Sequence, residues 1–140
     1  MKETQVAYQL RVLFDKKITS FYMDSFKGMF GKVQVEVLDY LYENREARTK
    51  ELAERLNVPK QHVSKIISRL EELELVANKP DISDGRASLY FLTDKGMDLM
   101  NSHIEQSNRN FEALLQNLCE EERKQLLGAM ELMVTCLNKM

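Results

Sequence analysis

Seven side chains that could grip phosphates and base edges fall within ten residues of one another: Lys60, Gln61, His62, Ser64, Lys65, Ser68 and Arg69. Lys and Arg neutralise phosphate oxygens, while Gln, Ser and Lys hydrogen-bond base edges in a major groove, so this set suits binding a nucleic acid rather than transforming a substrate. No Asp or Glu stands between Pro59 and Leu70, and acids resume only at Glu71, Glu72 and Glu74. If the run is a helix, its charge opposes the macrodipole, which favours acids first. Positive charge at that end then needs a partner outside the helix. A solvated polar face is the plain alternative, and the surrounding elements weigh between the two.

The run does read as a helix. Val63, Ile66, Ile67, Leu70 and Leu73 recur at i, i+3, i+4, i+7 and i+10, one apolar stripe that predicts a helix ending around Leu75. Before it, Thr49 sits where an N-cap belongs, and Leu52, Ala53 and Leu56 supply a shorter helix with a buried face. Asn57 can take the left-handed conformation that ends that helix, and Pro59 suits the first turn of the next. Two helices joined this tightly form a helix-turn-helix. After it, Val76–Lys79 can pair with Ser88–Leu92 around a loop of Pro80, Asp81, Ser83, Asp84 and Gly85, the one stretch that reads as a hairpin. Arg86 stands at the base of that loop, where a guanidinium could reach into a narrow minor groove. The spacing of Asp84 and Arg86 would let the carboxylate hold the guanidinium, although an ordinary surface ion pair would look the same.

The flanking segments are apolar helices. Val6, Leu10, Leu13, Phe14, Ile18 and Phe21 predict a helix from about Thr4 to the mid-twenties, followed by a loop at 25–31 marked by Gly28 and Gly31. Val33, Val35, Val37, Leu38 and Leu41 then predict a helix stopping near Asn44, although the valine density also fits a strand. Thr93 is placed to cap a long helix running through Leu99, Met100, Ile104, Phe111, Leu114, Leu115 and Leu118. A last helix, 119–139, opens on Glu120, Glu121 and Glu122, as the dipole prefers. These outer helices offer more apolar surface than a winged helix of about fifty residues can cover, so they are expected to cover each other across a dimer. The expected fold is mainly α with a small β-hairpin wing. It is one domain over 1–140, with a winged helix-turn-helix at 32–96 and dimerisation helices at 1–27 and 97–140.

Composition narrows the function. A chain of 140 residues with 44% hydrophobic and 30% charged residues has the balance of a globular domain, not of a disordered one. No apolar run approaches a membrane span, the opening MKETQVAYQL lacks a signal core, and two cysteines make no disulfide framework, so a cytoplasmic protein without membrane contact is expected. The net charge of −2 argues mildly against a nucleic-acid binder. Its distribution answers that: residues 1–43 hold six basic and six acidic groups, 44–96 ten and nine, and 97–140 four and seven. The acidic excess lies away from the basic run. His62, His103, Cys119 and Cys136 show no ligand spacing, and no phosphate loop, nucleophile elbow or His-paired nucleophile is present, so neither metal, cofactor nor enzyme chemistry is expected. The eight methionines and clustered aromatics could line an effector pocket, but core and dimer packing explains them more simply.

In order along the chain, TKELAERLNVPKQHVSKIISRLEELELV, DISDGR and FLTDKG, with Gln34 and Leu38 opening an earlier helix, resemble the MarR family of bacterial transcription regulators. The resemblance covers nearly the whole length. It implies an obligate homodimer, triangular in outline, whose reading helices enter successive major grooves of a pseudo-palindromic operator. It places Arg86 on the family's wing arginine and Asp84 on the acid that orients it. Two positions depart from the pattern. Glu74 stands where a glycine commonly closes the recognition helix, and Cys119 where a Ser or Thr usually caps the last helix. A thiol at a helix N-terminus is a candidate redox sensor, yet the three glutamates that follow oppose its ionisation and favour a weak cap or buried thiol; Cys136, on the apolar side, is expected in the core. The residues and the resemblance together point to a dimeric, sequence-specific DNA-binding regulator, a repressor released from double-stranded DNA by an effector such as a small molecule. In that reading Gln61, Ser64 and Lys65 face bases and Lys60, Ser68, Arg69 and Thr49 face phosphates, with His62 on the same face and Arg86 in the minor groove. The competing reading is a winged-helix interaction module that does not bind DNA.

Overall fold

The computed structural model describes residues 1–24 and 26–140; the Phe21 side chain and Ser25, assigned above to the N-terminal stripe and the loop, lie outside the described residues. Helix α1 (Glu3–Phe14) passes through one π-helical turn (Asp15–Thr19) into α2 (Ser20–Asp24). There follow α3 (Lys32–Asn44), β1 (Glu46–Ala47), α4 (Thr49–Leu56), α5 (Lys60–Glu72), β2 (Val76–Asp81), β3 (Asp84–Leu92), α6 (Asp94–Leu115) and α7 (Glu120–Leu137). The three strands form an antiparallel sheet in the order β1-β3-β2. The expected mainly helical fold with a hairpin wing is what the chain adopts, with β1 added at the edge.

The valine-rich segment 33–41 becomes the helix α3 and not a strand. Strict alternation from Val33 would have put Asp39 on the apolar face, whereas helical spacing buries Val35, Val37, Leu38 and Leu41 and leaves Asp39 to accept the Tyr22 hydroxyl. Those four join Phe26, Phe30, Leu52, Val63, Ile66, Ile67, Leu70, Leu75, Val76, Leu92 and Met100 in a single core. That core lies under the helix-turn-helix and the base of the hairpin. Helices α1 and α7 bury nothing in it. Among the described residues, no helix is long and apolar enough to cross a membrane.

Several boundaries move from their expected places. Thr49 is the first helical residue of α4 and not its cap; Arg48 occupies the N-cap, where its backbone N–H is taken by Glu51 Oε1 at 3.3 Å. Pro59 likewise precedes the first turn of α5. Helix α6 ends at Leu115, short of Leu118. Asn57 is left-handed as expected (φ 54°), and Val58 N–H reaches back to Ala53 O at 3.1 Å. Helix α5 stops at Glu72, and Glu74 takes the left-handed conformation usual for glycine (φ 62°). Glu74 N–H then bonds Glu71 O at 2.9 Å and Leu75 N–H bonds Leu70 O at 3.0 Å, the paired bonds of a Schellman ending. The helix end is therefore regular, with a strained residue in place of the glycine. Cys136, expected in the core, is exposed on α7.

The end of α5 is bolted to the start of α6. Leu75 O accepts Thr93 N–H at 3.0 Å, Glu74 O accepts the Thr93 hydroxyl at 2.6 Å, and Leu73 O accepts Lys95 Nζ at 3.0 Å. Thr93 Oγ1 in turn caps α6 by accepting Gly96 N–H at 3.1 Å. The approach is so close that a Cβ on Gly96 would lie 2.2 Å from Leu75 O. Only glycine fits there.

Candidate nucleic-acid interface

Helix α5 is amphipathic in the sense the sequence demands. Val63, Ile66, Ile67 and Leu70 are buried against the core, while Lys60, Gln61, His62, Ser64, Lys65, Ser68 and Arg69 are all exposed. Gln61, Ser64, Lys65 and Ser68, at i, i+3, i+4 and i+7, run along the face opposite the buried stripe, with Lys60 on one flank and His62 and Arg69 on the other. Arg69 is already engaged, its Nη1 lying 3.2 Å from Glu72 Oε2. Both groups are exposed, so a phosphate could displace that pair at little cost. Thr49 is half-buried beside Arg48 at the start of α4.

The hairpin departs from regular pairing where it would meet a ligand. The register runs from Val76–Leu92 to Pro80–Ser88, then jumps to Asp81–Asp84, leaving Gly85, Arg86 and Ala87 as an arch on β3. Such a bulge re-aims side chains, and Arg86 is exposed on it. Asp84 does not hold the Arg86 guanidinium as expected. Its Oδ1 accepts the Arg86 backbone N–H at 3.1 Å, so it shapes the arch, and among the described residues no carboxylate engages that guanidinium.

The hairpin acid that does hold a guanidinium is Asp81, which sequence reasoning assigned only to the loop. It is 7% exposed. Asp81 Oδ2 takes Arg48 Nε at 2.6 Å and also pairs with Arg48 Nη2, while its Oδ1 accepts Ser83 N–H at 3.0 Å and the Ser83 hydroxyl at 2.8 Å. Arg48 Nη2 reaches Ser83 Oγ as well, at 3.2 Å. The Ser83 hydroxyl foremost, then its backbone N–H and the Arg48 guanidinium, hold the Asp81 carboxyl below the usual carboxylate range against the opposing effect of burial. The hairpin tip is thus tied to the first turn of α4. Lower down, Lys79 pairs with Glu46 at 2.7 Å, linking β2 to β1 across β3. Asp81 and Asp84 each close on the backbone N–H two residues on, so local spacing did not single out Asp81.

Away from this face, a cavity of about 630 Å³ lies between the segment joining α2 to α3 and helix α6, with Asp24, Lys27, Met29, Ser102 and Gln106 on its walls. Phe26 and His103 also line it, their rings stacked with centroids 3.7 Å apart. Burial, and after it the Lys27 cation, keeps His103 below its ordinary value. Cys119 is the N-cap of α7, exposed and making no side-chain capping bond. Among the described residues no group of three or more His, Cys, Asp and Glu is gathered to hold a metal ion.

Comparison with known proteins gives this geometry its relatives. Residues 30–96 match the family model of a winged helix DNA-binding domain. The chain is 25% identical over 137 residues to the uncharacterized HTH-type transcriptional regulator YdgJ of Bacillus subtilis, covering 98% of this chain and 82% of that one. Among solved structures, its fold is similar to the transcriptional regulator Tm0710 from Thermotoga maritima, with a TM-score of 0.84 at 21% identity over 98% of this chain and 96% of that one. It is similar too to a mutant of Staphylococcus aureus MepR bound to an oligodeoxyribonucleotide, with a TM-score of 0.71 at 21% identity over 94% and 97%.

Proposed function

We propose that this chain, whose residues 30–96 are a winged helix DNA-binding domain and whose fold is that of MarR-type regulators, is a sequence-specific transcription regulator. It acts as a repressor that binds a pseudo-palindromic operator as a homodimer and leaves it when an effector binds. One observation carries the reading. The solvent face of α5 presents Gln61, Ser64, Lys65 and Ser68 between flanking cations, with no acid before Glu71, on a helix whose other face is core. Gln61, Ser64 and Lys65 are assigned to base edges in the major groove, and Lys60, Ser68, Arg69 and Thr49, with His62 beside them, to phosphates. Arg86, arched out of β3 with Asp84 shaping the arch, is assigned to the minor groove.

Residues 32–96 are the reading unit in this proposal, and 1–27 and 97–140 assemble the dimer. In support, Leu10, Leu13 and Phe14 of α1 face Leu126, Met130 and Met133 of α7 across an apolar groove of about 480 Å³. A second copy of the same helices is the occupant that suits it, since among the described residues none of α1 or α7 is fully buried within its own chain. Release follows from the bolt between α5 and α6. A ligand in the cavity beside His103 would press on α6, and any shift of α6 is carried to α5 through Thr93, Lys95 and Gly96. Its effect on operator affinity equals its differential binding to the two arrangements.

Lys65→Ala tests the assignment. Fluorescence anisotropy on a selected operator should show weaker binding, with the salt slope reduced by about one phosphate contact if Lys65 meets backbone, or with relaxed sequence preference if it meets a base. Unchanged affinity, slope and preference would remove Lys65 from the interface.

A further inference from the structure

The outermost side chain of the hairpin is apolar. Ile82 sits in the two-residue turn between β2 and β3 with its whole surface in water, a relative exposure of 101%. Turns favour Gly, Asn, Asp and Ser, each for a conformational reason that a β-branched residue lacks. Among the described residues nothing packs on it to explain an isoleucine there. Around it, however, the turn is unusually well fixed: Asp81 and Ser83, the residues on either side, are both fastened to Arg48. The tip cannot fold back to bury Ile82 without breaking those bonds. Arg48 also neutralises Asp81, removing a charge that would repel a polyanion.

Length places the tip. Six residues of β2 at about 3.3 Å each make a hairpin about 20 Å long, starting where α5 ends. Half of a 34 Å helical turn of DNA, about 17 Å, separates a major groove from the adjacent minor groove. With α5 in the major groove, the hairpin is long enough to bring its turn to the adjacent minor groove, and minor-groove proteins commonly set apolar side chains against the groove or between base steps. A β-branched side chain on a locked turn has little rotamer freedom to lose on contact.

We infer that Ile82 is an apolar minor-groove contact, presented by the Arg48–Asp81–Ser83 clamp, that gives the wing a preference among flanking base steps which Arg86 alone would not supply. This rests on the DNA-binding reading above. It predicts a component of specificity that does not depend on salt, because an apolar contact releases no counterions.

The test uses the intact protein and duplexes recovered from a random-sequence selection. Affinities of wild type, Ile82→Ser and Ile82→Leu are measured by anisotropy at several salt concentrations, on the selected duplex and on one with the wing-facing flank exchanged between A·T and G·C. Ile82→Ser should bind the selected duplex about tenfold more weakly, with an unchanged salt slope, and should lose the flank preference. Ile82→Leu should keep both affinity and preference. Because the Ile82 side chain is fully exposed, neither variant should melt below the wild type. Ile82→Ser binding as the wild type does, with the same flank preference, overturns this inference and leaves the DNA-binding reading intact. A wild-type protein that selects no sequence overturns both.

Discussion

Gly96→Ala isolates the joint between the long helix α6 and the reading helix. The added methyl would lie 2.2 Å from Leu75 O, 3.1 Å from Leu75 C and 3.3 Å from Leu92 Cδ2. A carbon meets a carbonyl oxygen comfortably at about 3.3 Å or more, so the two backbones must part by about 1 Å. Overpacking of this kind costs about 1–3 kcal/mol. The displaced oxygen also accepts Thr93 N–H, whose loss adds about 1 kcal/mol. Against this, alanine is favoured over glycine in a helix by up to about 1 kcal/mol. The net expectation is a destabilisation of about 1–3 kcal/mol, a fall in melting temperature of roughly 3–9 °C for a chain of this size. Gly128, in the interior of α7 with no described residue within 4 Å of where a Cβ would stand, is the internal control. Gly128→Ala should leave stability unchanged or raise it by up to about 1 kcal/mol. Scanning calorimetry on the two variants decides the matter. If Gly96→Ala melts at or above the wild type, α6 is not held against Leu75, and the route from cavity to reading helix fails with it.

Three other perturbations have signed outcomes. Glu74→Gly removes a left-handed strain worth about 1–2 kcal/mol, partly offset by the greater freedom of glycine in the unfolded chain. The urea midpoint should rise, and a fall would mean that the 4.0 Å approach of Lys95 to Glu74 matters more than the backbone. The depressed Asp81 carboxyl contributes stability that is complete above the ordinary Asp value of about 3.9 and is lost as pH falls through its lower folded value. Asp81→Asn should therefore be less stable than the wild type at neutral pH, with the difference narrowing in acid; a constant difference would show that the carboxylate charge is not what the clamp uses. Met133→Arg, which puts a cation in the apolar groove between α1 and α7, should convert a dimer into a monomer in sedimentation velocity, and a persistent dimer would place the interface elsewhere.

What could be read from the sequence was whatever repeats with a period or depends on neighbours. The stripe from Val63 to Leu70 set both the span of α5 and the face it exposes, because burying one side of a helix fixes the other. The hairpin's two strands followed from Val76–Lys79 and Ser88–Leu92 flanking the turn residues between them, and Thr93 stood out as the cap of the helix that follows. What escaped was pairing between residues far apart in the chain. Arg48 and Asp81 stand 33 residues apart, and nothing in the local pattern distinguishes Asp81 from Asp84 as the acid that grips a guanidinium. The Thr49 cap failed for a local reason: Glu51 stands three residues after Arg48, the capping-box spacing, and its Oε1 takes the Arg48 N–H, so the helix begins one residue earlier than the Thr49 cap implied. Gly96 was visible only as a residue near a helix start, since its need arises from the Leu75 carbonyl.

The most direct measurement is a random-sequence selection with the purified protein, followed by titration of the recovered duplex at two salt concentrations with excess unrelated DNA as competitor. A regulator built as described should enrich a pseudo-palindrome whose half-sites lie about one helical turn apart, bind it in the presence of competitor, and lose affinity as salt rises. Enrichment of no sequence, with binding that competitor abolishes, would contradict the account and leave a winged-helix module whose basic face meets something other than DNA.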